Sequence, residues 1–135
     1  EGIRLEFTNG VVTKATAKKG QKVLLDMLAT KDANKLGEFS LTDTRFSRIT
    51  HPMAETLFDE NIGGPFGNTH VAVGMAYKSC YKKDPSAVTQ EEWDNMGYNN
   101  SSVHTDIVST TDRTVTAYLA NGSTIIIYKD GKFTL

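Results

Sequence analysis

The chain has 135 residues, 39% of them apolar and 23% charged, with 15 Lys and Arg against 16 acids for a net charge of −1. That length suits one domain able to bury roughly two thirds of the surface its unfolded form exposes, and the composition is that of an ordinary globular protein. The balanced charge leaves no basic footprint for nucleic acid or an anionic membrane, and no apolar run approaches the roughly 18 residues of a membrane span. Cys80 is the single cysteine, which excludes an intrachain disulfide and a thiolate zinc cage. A free thiol suits a reducing compartment, so a cytoplasmic location is expected. The sequons at Asn99, Asn100 and Asn121 are then chance matches. Residue 1 is Glu and strand-like alternation starts at once, so the chain is expected to begin inside a larger protein.

Ile3, Leu5 and Phe7 alternate with polar neighbours, Thr8-Asn9-Gly10 turns, and Val11 to Ala15 resumes the extended pattern, which is a hairpin signal. Gln21 to Thr30 places Leu24, Met27 and Leu28 at helical spacing. A further turn from Asp32 to Leu36 is expected to stop at Gly37. Glu38 to Thr42 reads as a strand, Met53 to Phe58 as one or two helical turns, and 61–68 as a glycine-rich loop. Val71 to Tyr77 is a β-branched strand in which Gly74 points to a bulge or a close backbone approach. Thr89-Gln90-Glu91-Glu92 is a capping box that starts a helix through Met96, ended by Gly97. Strands follow at 103–109, 114–119, 123–128 and 132–135. The expected class is α+β: a strand-rich mixed sheet or partly closed barrel with two or three short helices.

His104-Thr105-Asp106 is the sharpest local feature. On a strand, residues two apart share a face, so imidazole and carboxylate stand side by side. That is an ordinary ligand pair for zinc, cobalt or manganese, although such a pair is more often surface chemistry. His70 opens an apolar strand after flexible backbone, where a ligand or a capped structural histidine both fit. Tyr77 closes that strand, and by itself it reads as a half-buried core tyrosine. Glu38 opens a strand directly after Gly37, where acids are mostly solvated. Asp59 and Glu60 precede the glycine loop and suit either ligation or loop anchoring. His51, before Pro52, is given a structural role. The run 63–67 lacks the Gly-Lys-Ser/Thr of a phosphate loop, which excludes nucleotide binding there.

Taken in order, Leu36-Gly37-Glu38-Phe39, Thr56-Leu57-Phe58-Asp59-Glu60-Asn61, His70-Val71-Ala72-Val73-Gly74-Met75-Ala76-Tyr77 and Ser102-Val103-His104-Thr105-Asp106 resemble the aminopeptidase T and aminopeptidase S (PepS) family, bacterial two-metal exopeptidases. The resemblance runs from Glu1-Gly2-Ile3-Arg4 to Lys129-Asp130-Gly131-Lys132-Phe133. It implies that 1–135 is a single C-terminal, metal-ligand-bearing domain of a two-domain peptidase whose N-terminal domain is absent. Glu38, His70, His104 and Asp106 match the metal ligands, and Tyr77 the catalytic tyrosine that hydrogen-bonds the developing oxyanion. The implied cofactors are two divalent ions (zinc, cobalt, magnesium or manganese) that activate a water. Peptides are the implied substrates, and the complete protein is a homodimer by the same resemblance.

Two departures stand out. Residues 63–67 lengthen the loop ahead of His70, and no Glu-Glu pair precedes the first strand to supply the family's further glutamate ligand. Two divalent ions bring +4, against −2 from Glu38 and Asp106, so the chain alone is expected to bind at most one ion tightly and to have little activity. Two rivals remain: a non-enzymatic β-rich interaction module, and a single-metal hydrolase using Glu60 as base with His70, His104 and Asp106 as ligands.

Overall fold

A computed structural model describes residues 1–135. It contains eight strands and three α-helices: β1 (Arg4–Thr8), β2 (Val11–Thr16), α1 (Gln21–Leu28), β3 (Leu36–Thr42), α2 (Thr56–Asp59), β4 (Asn68–Gly74), α3 (Gln90–Asn95), β5 (His104–Ser109), β6 (Val115–Tyr118), β7 (Thr124–Lys129) and β8 (Lys132–Phe133). The strand-rich α+β class with three short helices is as expected. The strands form three small sheets, β1-β2, β3-β4-β5 and β6-β7-β8, and do not join into one mixed sheet or close a barrel. Short strands and register shifts at Glu6/Phe7 and Val115/Thr116 limit how far each outer ladder extends. No helix is long and apolar enough to cross a membrane.

The chain divides into two compact units, residues 1–38 with 71–106, and residues 39–70 with 107–135. The strands of the middle sheet each contribute one part to either unit. Residues 36–38, 71–74 and 104–106 belong to the first, and 39–42, 68–70 and 107–109 to the second.

The first unit is organised around Leu24, Ala33, Ala72, Val73 and Trp93. Its hairpin turns through Asn9 and Gly10, both with positive φ (49° and 75°), the conformation a two-residue turn needs to match strand twist. Helix α1 has no side-chain N-cap, since Gly20 precedes it in a left-handed conformation. The Gln21 amide instead accepts from the Ala17 N–H and donates to the Ala15 carbonyl, tying the helix start to the end of β2. The capping box on α3 is complete: Thr89 accepts from the Glu92 N–H, and Glu92 accepts from the Thr89 N–H at 2.8 Å. That helix ends in a Schellman motif, with Gly97 N–H on the Asp94 carbonyl and Tyr98 N–H on that of Trp93, both at 3.0 Å. Trp93 is thereby buried between Tyr81 and Tyr98, with the Lys78 ammonium over two of the rings.

Three expectations on this part of the chain are corrected. Gly37 does not end a helical turn; residues 31–34 form a turn without a helix, and Gly37 is the second residue of β3. The turn is held from outside, because the Asn99 amide donates to the carbonyls of Asp32 and Lys35 and the Ser101 hydroxyl to that of Lys31. Strand β4 starts earlier and stops earlier than its apolar run, so His70 lies inside it, and it ends at Gly74 with φ of 96°. Tyr77 accordingly lies past the strand, leading into a short 3-10 turn at 78–80.

In the second unit Ile62 and Tyr128 are the buried apolar residues. Asp43 is almost wholly buried and accepts four hydrogen bonds: from the N–H, Nε and Nη2 of Arg45 and from the N–H of Phe133 in β8. The Arg45 guanidinium, followed by these backbone donors, holds the Asp43 carboxyl well below the usual carboxylate range against the opposing effect of burial. The Tyr128 hydroxyl lies 2.9 Å from the carbonyls of both Thr42 and Phe66, which fixes the end of the glycine loop. Asn68 closes the same loop, donating from its amide to the carbonyls of Glu60 and Ile62.

Candidate metal centre

Strand β5 alternates half-buried and exposed positions from His104 onward, so His104 and Asp106 share the inner face and Thr105 points out. His104 Nε2 stands 3.3 Å from Asp106 Oδ1 and 3.3 Å from Glu38 Oε2. All three side chains are largely shielded, with exposures of 16%, 11% and 23% for His104, Asp106 and Glu38. Glu38 reaches this point because β3 begins at Leu36, directly after the turn that Asn99 and Ser101 hold.

The ring of His104 is oriented from behind. Its Nδ1 lies 2.8 Å from the Met75 carbonyl oxygen, and a carbonyl only accepts, so Nδ1 carries the hydrogen. In the neutral ring Nε2 is then a bare lone pair directed at two carboxylates. A ring lone pair and a carboxylate oxygen facing one another repel unless a proton or a cation stands between them. Asp106 Oδ1 makes the same point: it is buried and has no hydrogen-bond partner, and a bare Nε2 at 3.3 Å has no hydrogen to give it. Orphaned buried acceptors cost free energy in proteins. Glu38, His104 and Asp106 bring one ligand atom each within 4.8 Å of the others. Imidazole plus two carboxylates, with the second ring nitrogen bonded to a backbone carbonyl, is the donor set and support that zinc, cobalt and manganese favour.

The ring of Tyr77 stands 5.0 Å from that of His104 at a tilt of 56°, and the side chain is about half exposed. His70, in the second unit, is buried inside β4 and does not sit at a strand mouth. Its Nδ1 is 3.3 Å from the Asn68 amide oxygen, and a ring nitrogen and a Glu60 carboxylate oxygen lie within 4.8 Å of one another. Asp59 anchors the loop, accepting from the Met53 N–H at 2.7 Å. His51 is exposed and pairs with the Thr50 hydroxyl. The carbonyl of Met75 escaped the sequence analysis, because a backbone acceptor has no residue signature; Gly74 beside it was the only available signal.

The family model for thermophilic metalloprotease (M29) matches residues 1–133 of this chain. The chain belongs to this family. Among relatives of the M29 chain, Aminopeptidase PepS of Streptococcus thermophilus is 30% identical across all of it, and Aminopeptidase 2 of Geobacillus stearothermophilus 31% identical across 98%. Aminopeptidase AmpS of Bacillus subtilis is 28% identical across 98%. The chain spans about a third (32%) of the length of each of these relatives. Among solved structures, wild-type AmpT from Thermus thermophilus superposes with a TM-score of 0.80 at 27% identity, covering 100% of this chain and 32% of that one. The resemblance read from the four ordered motifs is thus to the right family.

Proposed function

We propose that this M29 chain is the metal-ligand-bearing, C-terminal part of a two-metal aminopeptidase that removes the first residue of peptides. The observation that carries the proposal is the meeting of His104 Nε2, Glu38 Oε2 and Asp106 Oδ1, in which the buried Asp106 Oδ1 has no hydrogen-bond partner. Glu38, His104 and Asp106 hold one divalent ion, and His70 is a ligand of the second, with Glu60 as its neighbour in the second unit. Bound divalent ions supply Lewis acidity and a water of lowered pKa, the usual route to a nucleophile at neutral pH.

The chain's own residues do the rest. Asp106 and Glu38 supply negative charge at a shielded position, His104 is held in one tautomer by the Met75 carbonyl, and Tyr77 donates its hydroxyl hydrogen to the oxygen that develops charge. Glu38 and Asp106 return −2 against the +4 of two ions, so full affinity requires carboxylates from the remaining two thirds of the relatives' length. Residues 1–135 alone therefore hold at most one ion tightly and turn over little peptide. The complete protein works in the cytoplasm, consistent with a free, exposed Cys80. It pairs as a homodimer, as the resemblance to the family implies.

The test is cobalt or zinc titration with leucine-p-nitroanilide turnover, on this chain and on a polypeptide of the relatives' full length. One tight ion per chain, lost in His104→Ala, and activity only in the longer protein are expected. Turnover by residues 1–135 equal to that of the longer protein, or metal binding untouched by His104→Ala, defeats the proposal.

A further inference from the structure

We propose that Gly37 and Gly74 are positioning residues that together shape a backbone cradle for the tautomer and aim of His104. The Met75 backbone is held on both sides of its Cα: its N–H donates to the Val103 carbonyl at 2.6 Å, and its carbonyl accepts from His104 Nδ1 at 2.8 Å. Residues 103 and 104 are thereby gripped by the backbone of one residue. Two glycines make the space in which that backbone sits. A Cβ on Gly37 would lie 2.5 Å from the Met75 carbonyl oxygen and 2.7 Å from its carbon, and it would overlap the Gly74 carbonyl oxygen outright. A Cβ on Gly74 would overlap the Val103 carbonyl oxygen, and its φ of 96° disfavours any side chain. The N–H of Gly74 donates to the Lys35 carbonyl at 2.7 Å, which keeps the two glycine-bearing segments in contact.

Gly37 is also covalently next to Glu38. The same missing side chain therefore serves two of the three converging groups: it lets β3 approach closely enough to present Glu38, and it leaves the Met75 carbonyl free to orient His104. All the atoms that collide with a Cβ here are backbone, so no rotamer change relieves the clash. An alanine at 37 must push the Met75 carbonyl away from Nδ1. The ring then loses the acceptor that selects the Nδ1–H form, and Nε2 can take the hydrogen and close its lone pair.

The experiment is nitrogen-15 imidazole NMR on the metal-free protein with the ring neutral, together with zinc titration by calorimetry. Gly37→Ala and Gly74→Ala are compared with Gly97→Ala. Gly97 shares the positive φ (77°) but has no atom within 4 Å of its would-be Cβ, so it matches the strain of Gly74 away from the centre. Wild type and Gly97→Ala are expected to show the Nδ1–H form of His104. Gly37→Ala and Gly74→Ala should show Nε2–H or a mixture, with zinc affinity about tenfold to a hundredfold weaker, the usual effect of losing a partner behind a ligand.

The cradle rests on the metal-centre reading only for its effect on affinity. A tautomer change with unchanged zinc affinity upholds the cradle and defeats that reading, whereas an unchanged tautomer in Gly37→Ala overturns the cradle. If the variants do not fold, the wild-type spectrum still decides, because Nε2–H in the wild type overturns the proposal.

Discussion

Asp43 in the second unit and Asp106 in the first are both carboxylates withdrawn from water, and the fold supplies them in opposite ways. Asp43 accepts four hydrogen bonds, three from Arg45 and one from β8. Asp106 Oδ1 is buried with none, and faces a lone pair on His104. A satisfied buried acid ties strands together, and an unsatisfied one marks where the protein leaves room for something it does not itself provide. Tyr128, which shares the second unit with Asp43, follows the structural pattern: burial pushes its phenol up, and both neighbouring carbonyls hold it in place.

The comparison breaks if the two acids respond alike to removal. Asp43→Ala leaves the Phe133 N–H without its acceptor and the Arg45 guanidinium with only the Phe133 carbonyl, and should cost roughly 3 kcal/mol, the low end for a broken buried pair because Arg45 is half exposed. Urea unfolding measures that loss, with zinc affinity per folded molecule unchanged. Asp106→Asn should do the reverse. An amide can donate to Glu38 or His104, so the metal-free protein keeps or gains stability, while zinc affinity falls on the order of a hundredfold or more. A strongly destabilised Asp106→Asn with intact zinc binding would make Asp106 a structural acid after all.

Acid sharpens the contrast. Because the folded-state pKa of Asp43 is depressed, its contribution is fully present above the unfolded value near 4 and disappears as pH falls from there through the folded value. Stability measured from pH 5 down to pH 2 should therefore slope downward in the wild type, and less steeply in Asp43→Asn. Thr89→Ala is the smallest expected change: loss of the cap on α3 should cost about 1 kcal/mol in the first unit and leave zinc affinity alone. A drop in affinity there would mean that general loosening, and not ligation, governs the centre.

How much of this was visible in the residues depends on the kind of contact. The shared face of His104 and Asp106 follows from strand alternation alone, and the caps on α3 and the Asn9-Gly10 turn follow from local chemistry. Glu38 stands far from His104 in sequence, and no spacing rule predicts such a meeting; only the resemblance of whole motifs to a known family pointed there. Gly37 was misjudged because a glycine after a polar turn has the same local signature whether it stops a helix or admits a neighbouring backbone. Tyr77 was placed inside a strand because Met75 and Ala76 continue an apolar run, yet Gly74 had already bent the chain. The partners of Asp43 were invisible for a related reason, since one of them, Phe133, contributes only its main chain.

The bond between His104 Nδ1 and the Met75 carbonyl has a kinetic consequence. An imidazole that already points its lone pair inward needs no search through side-chain orientations before an ion arrives. If the proposed centre takes up an ion, loading should then be paced by how quickly the incoming ion sheds its water. Sluggishly dehydrating ions such as magnesium should enter more slowly than zinc, whatever their final occupancy.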